Sequence, residues 1–203
     1  MLSVSASAVV DCDLASVPAV LPMGGDAWLA AADPSVVESL ESTGVAFPGP
    51  RLLAGCAGLA SGVALFEVPA EPIFSLLLHT ERHAEIVGLL AATELVSRHP
   101  ARHVDRHEIR ILFRRIEYYV EHEWSSERLR IWWHLAVDER SDLRALDGFW
   151  EFYPLAQGGT LGLYASAVDV GPIVPRRVQE ALTRKNLRDA LRAFHGWIEA
   201  EAR

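Results

Sequence analysis

Between Asp147 and Arg203 the period of hydrophobic and polar positions switches from that of a strand to that of a helix. Gly148, Trp150 and Phe152 alternate with Phe149, Glu151 and Tyr153, the mark of a strand with two unlike faces. Pro154 and the Gly158-Gly159 pair end it, and Thr160 to Val170 reads as the returning strand of a hairpin. Pro172 and Pro175 forbid further sheet, and Pro175 suits the first turn of a helix, where its missing N–H costs nothing. Beyond it Val178, Ala181, Leu182, Leu187, Leu191, Phe194, Trp197 and Ile198 recur at helical spacing as one apolar stripe. A lone hairpin and a lone amphipathic helix cannot bury those faces, so the preceding chain must supply a surface that closes over the helix.

That chain reads as further strands. Gly58 to Val68 is strand-like, and Pro69-Ala70-Glu71-Pro72 breaks it. A short helix over Ile73 to His79 and a second helical turn around Ala84 to Leu89 follow. Thr93 to Ser97, His103 to Phe113, Arg115 to Trp124 and Leu129 to Leu135 are the next strands. Ile116, Tyr118, Val120, His122 and Trp124 share one face of theirs, while Leu129, Ile131, Trp133 and Leu135 oppose Arg130, Trp132 and His134. The order is strand, two short helices, six consecutive antiparallel strands, long helix. Consecutive hairpins make a meander that curls because sheets twist, and only the last helix remains to fill its concave side. The fold class predicted is α+β: a helix-grip in which a curved antiparallel sheet of about seven strands wraps a long C-terminal helix.

Residues 1–50 read as an appendage to a main domain over 51–203. They hold six carboxylates and no Lys, Arg or His. Asp33-Pro34 predicts a capped helix running through Glu38 and Leu40, and Gly44 to Pro50 closes it as a turn-rich linker. The apolar content around Trp28 and Leu29 exceeds that of a disordered tail, so part of this segment is expected to pack on the body.

Composition narrows the classes. A formal charge of −8 over 203 residues argues against a nucleic-acid partner. No window is apolar enough to span a bilayer, because Leu14 to Leu29 is broken by Pro18, Pro22, Gly24, Gly25 and Asp26, so the chain is not expected to be an integral membrane protein. Met1-Leu2-Ser3 has no basic n-region, which makes a cytoplasmic location the expectation. Cys12 and Cys56 form no disulfide framework and read as free thiols.

Four segments in order carry a resemblance to a known family. They are V-P-A-E-P-I-F at 68–74, G-F-W-E-F-Y-P-L at 148–155, G-G-T-L-G-L-Y at 158–164 and V-P-R-R-V at 174–178. In this set the chain, over about residues 60–200, resembles the START-like (SRPBCC, Bet v 1-like) superfamily and within it the polyketide cyclase/dehydrase and coenzyme Q-binding branch. One departure is L-L-H-T-E-R-H-A-E-I-V at 77–87, where that family shows L-x-D-x-x-x-x-P; this puts the family's pocket mouth in doubt here. The resemblance implies a deep, mostly apolar cavity between sheet and last helix, without fixing a reaction.

Strand alternation combined with that plan gives the residues expected to face a ligand. On the strands they are Ile109, Ile111, Phe113, Ile116, Tyr118, Trp132, His134, Trp150, Phe152, Gly162, Tyr164 and Ser166; on the helix they are Ala181, Leu182, Phe194 and Ile198. Gly162 would leave room for a ligand or for close backbone approach. His134, Tyr118 and Tyr164 are the catalytic candidates, an imidazole base on an acidic C–H with a phenol polarising a carbonyl. Among eight histidines, His79 and His83 are four apart on a helix, but no Cys or H-E-x-x-H supports a metal. His99, His103 and His107 are four apart in strand, about 13 Å between neighbours, too far to share an ion. No metal and no cofactor is expected. Three readings stay open: a carrier or binder of a lipid, isoprenoid quinone or aromatic polyketide; an aromatase/cyclase or dehydratase using the same cavity; and an interaction module with a filled core. The outward face of Thr160–Val170, with Leu161, Leu163, Ala165 and Ala167, needs a cover, either the N-terminal 50 residues or a second copy in a homodimer.

Overall fold

The computed structural model describes residues 21–48, 60–111, 114–171 and 176–202, with side chains at 111, 114 and 176–183 left aside. Helices α1 (Gly25–Ala31) and α2 (Pro34–Thr43) precede a two-residue strand β1 (Val45–Ala46) and strand β2 (Ala60–Phe66). Helix α3 (Ala70–Leu77), a 3-10 turn at Thr80–Arg82 and helix α4 (His83–Ile86) lead to β3 (Leu90–His99). Strands β4 (Arg102–Ile111), β5 (Arg114–Ser125), β6 (Arg130–Leu135), β7 (Ala145–Pro154) and β8 (Thr160–Asp169) follow, and α5 (Arg176–Glu201) closes the chain. The eight strands form one antiparallel sheet in the order β1-β2-β8-β7-β6-β5-β4-β3. The meander of six consecutive strands and the helix-grip plan stand as expected.

The order shows what the short helices do. β2 pairs with β8, at the opposite end of the meander from β3, so α3 and α4 carry the chain across the open side of the sheet. On that concave side α5 buries Leu187, Ala190, Leu191, Phe194 and Ile198, which recur at helical spacing. Arg82 clamps the carboxylate of Glu201 through two nitrogens, each at 3.1 Å, and lies over the Trp197 ring at 5.1 Å, tying the crossing segment to the end of α5.

The convex face is divided. Over β3, β4 and β5 it is charged: Arg106 pairs with Glu94 and Glu117, and Arg102 with Glu121. Over β2, β7 and β8 it is apolar, and residues of the N-terminal segment cover it. Leu21, Leu40 and Ala46, with Trp28, Leu29 and Val36, pack on Val63, Phe149, Tyr153, Leu161, Leu163, Ala165 and Ala167. The Leu21 N–H donates to the Tyr153 hydroxyl at 2.8 Å. The cover is thus part of the same chain, on the face where a second copy was the other expectation. Asp33 caps α2 by accepting from the Ser35 N–H at 2.9 Å, and Gly44 ends it at φ 72°. α1 and β1 were not foreseen: seven and two residues are too few to show a period. Cutting the side chain of buried Leu40 back to alanine is expected to cost about 2–5 kcal/mol in urea unfolding, since α2 is part of the fold. An unchanged midpoint would show α2 to be dispensable.

Strand β6 corrects the sequence reading. Ile131, Trp133 and Leu135 face α5, and Arg130, Trp132 and His134 face outward, the reverse of the expectation. The apolar set goes to the core because the polar set has partners outside. Arg130 meets Glu151, the Trp132 indole N–H donates to Glu123 at 3.2 Å, and His134 stands 4.0 Å from Glu121 and from Glu123.

Candidate functional site

A cavity of about 190 Å³ lies between the concave sheet and α5. Helix α5 supplies Leu187, Ala190 and Phe194, and β7 and β8 supply Trp150, Tyr164, Ser166 and Val168. β5 and β6 add Tyr118, Val120, His122, Ile131 and Trp133, β4 adds His107 and Ile109, and the crossing helices add Leu77, His83 and Val87. The rings pack on one another rather than filling the space: Trp150 lies 4.6 Å from Tyr164 and 6.0 Å, edge-on, from Phe194, and Trp133 lies 5.8 Å from Tyr164. The core is therefore not filled. Close packing nearby is made possible by glycine. A Cβ at Gly148 would lie 2.3 Å from the Trp133 ring, so only glycine lets that indole cross β7.

Of the residues expected to face a ligand, Ile109, Tyr118, Trp150, Tyr164, Ser166 and Phe194 line the cavity. Phe152 stacks on Trp150 at 5.5 Å, beside the cavity rather than on its wall. Gly162 faces inward, but Phe66 and Phe152 occupy the space above it, which makes it a site of close packing. Ile198 is fully buried in the core cluster and Ile116 packs against that cluster, both away from the cavity wall. Trp132 and His134 are on the convex face, so of the three catalytic candidates only Tyr118 and Tyr164 border the cavity. The side chains of Ile111, Phe113, Ala181 and Leu182 lie outside the described residues, as do Cys12, Cys56, Val174, Pro175 and the side chains of 176–178.

The cavity wall is polar in part: His122 stands on the face expected to turn inward with Tyr118, whereas His83 and His107 were not foreseen there. His83, His107 and His122 reach that wall, and His103, Asp105 and Thr80 are buried behind them. His103, Asp105 and His107 occupy successive inward positions of β4, and His122 is the register partner of His103 across the β4–β5 hairpin. The imidazoles of His103 and His122 stand 5.0 Å apart, and those of His107 and His122 6.1 Å. Burial dominates the titration of His83, His107 and His122. It takes His83 down to about 3 and His107 to about 4, and places His122 well below its ordinary value, so all three are neutral at neutral pH. Burial pushes the Asp105 carboxyl up, but His103 and His122 beside it outweigh this and leave it below its ordinary value. Burial raises both the Tyr118 and the Tyr164 phenols, which stay protonated as hydrogen-bond donors. His103, Asp105 and His122 offer donor atoms within 4.8 Å of one another and are the described residues able to hold a metal.

No family model matches the sequence, and no curated protein matches it. Solved structures do match the fold. The Zhui aromatase/cyclase from Streptomyces sp. R1128 superposes with a TM-score of 0.62 at 16% identity, covering 71% of this chain and 95% of that one. A STAR-related lipid transfer protein from Xanthomonas axonopodis gives 0.60 at 13% identity, covering 69% and 85%. A START superfamily protein from Mycobacterium smegmatis gives 0.59 at 18% identity, covering 70% and 97%. The chain has the START-like helix-grip fold. Among the described residues no helix is long and apolar enough to cross a membrane.

Proposed function

We propose that the protein binds a small hydrophobic molecule with a polar end in the cavity beneath α5. The observation that carries this is a mostly apolar, ring-walled cavity with the imidazoles of His83, His107 and His122 on its wall. Apolar burial would supply affinity at about 25 cal/mol per Å², and the histidines with the Tyr118 and Tyr164 hydroxyls would orient a carbonyl or phenol. The volume selects among ligand classes. An engineered cavity of about 150 Å³ holds benzene, so about 190 Å³ suits a compact one- or two-ring aromatic or a short acyl chain. A diacyl lipid or a long isoprenoid tail would need the walls to part. Lipid transfer and aromatase/cyclase proteins of the same fold are consistent with a ligand here.

Native mass spectrometry of protein purified from its own host tests this by showing a co-purifying molecule, and fluorescence titration with 1-naphthol tests the class. Ala190→Phe places a ring in the cavity from α5 and is expected to weaken 1-naphthol binding at least tenfold with the fold retained. Unchanged affinity in that variant would place the ligand elsewhere.

The second reading is acid–base catalysis, a cyclisation or dehydration. It is favoured by the pairing of His107 with Tyr118 across β4 and β5, their rings 5.3 Å apart. A base works best with its pKa near the operating pH, and His107, held at about 4, falls short of that. This ranks binding first. Deuterium exchange into a bound β-diketone, lost in His107→Gln while binding persists, would reverse the ranking.

A further inference from the structure

Six of the eight buried side-chain atoms without a hydrogen-bond partner among the described residues belong to one cluster. They are His83 Nε2, His103 Nδ1, His107 Nε2, His122 Nε2 and both oxygens of Asp105. Buried polar atoms are normally satisfied, and a group of them left over together calls for something that satisfies them together. At the centre of the cluster is Asp105, fully buried, on the inward face of β4.

We propose that His103, Asp105 and His122 form a binding site for a divalent transition-metal ion of the zinc or ferrous class, beside the histidines of the cavity wall. The geometry of the donors carries this. His103 Nε2 stands 3.1 Å and His122 Nε2 3.5 Å from the same oxygen, Asp105 Oδ2. Neither contact meets the geometry of a hydrogen bond, and one donor atom from each of the three residues lies within 4.8 Å of the others. Metal–nitrogen and metal–oxygen bonds of about 2.0–2.1 Å put tetrahedral donors about 3.3 Å apart, and the two separations bracket that figure. Thr80 Oγ1 is hydrogen-bonded to the same His103 nitrogen at 3.2 Å, a contact that an ion at this site would replace.

Chemistry and burial agree. Two imidazoles and one carboxylate suit zinc or ferrous iron and leave coordination positions for water or a ligand. His103 is 1% and Asp105 0% exposed, so two of the three donors are held inside the fold by their strand, ready in position. His122 belongs both to this triad and to the cavity wall, so an ion here would sit one imidazole ring from whatever occupies the cavity. The spacing explains why the three can act together: His103 and Asp105 are two apart on one strand face, and His122 is the cross-strand partner of His103.

The test uses the full chain stripped with chelator and needs no organic ligand. Calorimetric titration with Zn²⁺ is expected to show one equivalent, and Co²⁺ to give the visible absorption of a low-coordinate site. Asp105→Asn and His122→Gln are each expected to lower Zn²⁺ affinity at least about tenfold, while His134→Gln, on the convex face, leaves it unchanged. Should the variants fail to fold, the wild-type chain still decides: Zn²⁺ must shift the ring nitrogen NMR signals of His103 and His122. Absence of saturable Zn²⁺ binding, binding that survives both substitutions, or ring signals that do not move would each overturn the site.

Discussion

Acidification from pH 6.5 towards pH 4 is expected to destabilise the protein progressively, and a His83→Leu variant is expected to lose part of that sensitivity. His83 and His107 are buried and held neutral, at about 3 and about 4 against an ordinary value of 6.5. The unfolded chain therefore takes up protons first as the pH falls. Above about 6.5 neither state binds them and stability is at its full value; between 6.5 and the folded values the unfolded state gains. Each unit of depression corresponds to about 1.4 kcal/mol, so the two rings together weaken the fold by several kcal/mol, a large part of a typical stability. Leu at position 83 keeps an apolar contact to Phe194, whose ring now meets His83 edge-on at 5.0 Å. Urea unfolding at a series of pH values measures this. Equal free energies at pH 7 and pH 4.5 would refute it, as would a wild-type slope in the variant.

The second large effect is expected at Arg130. Its side chain and that of Glu151 are almost fully buried, and its Nη2 and Nε donate to Glu151 Oε2 at 2.5 and 3.2 Å. The two residues are register partners on β6 and β7, and the guanidinium also lies 5.6 Å from the Phe149 ring centre. Arg130→Met removes the guanidinium that faces the buried Glu151 carboxylate, which costs about 3–5 kcal/mol. The double variant Arg130→Met, Glu151→Met removes both charges and is expected to recover most of the loss, because apolar replacements of similar volume are tolerated where one unpaired charge is not. Chemical denaturation of the three proteins gives the cycle. A double variant as unstable as the single one would show that Glu151 is not what the arginine compensates.

The six-strand meander, the two short helices and the closing helix were legible because their signals are local: period-two faces, prolines at breaks and an apolar stripe. Facing was legible where one side of a strand is much more apolar, as at Trp150 and Phe152. It was misread on β6, where Trp132 and Trp133 are adjacent and either phase buries an indole. There the choice turned on whether Arg130 and His134 had outside partners, which depends on Glu151, Glu121 and Glu123 of neighbouring strands.

The polar inward face of β4 was missed for a related reason. Alternation marks an inward face by its apolar residues, and the inward face of β4 is His103, Asp105 and His107 before Ile109. Spacing along the strand rightly separated the histidines four apart. Alternation on β5 put His122 inward with Tyr118, but its place opposite His103, nineteen positions away, comes from pairing, because Ile111 meets Arg114 and fixes the register of the whole hairpin.

By itself the sequence determined the helix-grip plan, the capped helix at Asp33-Pro34 and the need to cover the outer face of β8, since each follows from neighbours in the chain. Only the tertiary structure decided that residues 21–46 form that cover, that Phe66 takes the space above Gly162, and that a carboxylate and two imidazoles meet at Asp105. Those outcomes depend on contacts between strands, where a shift of one residue exchanges the two faces of the sheet.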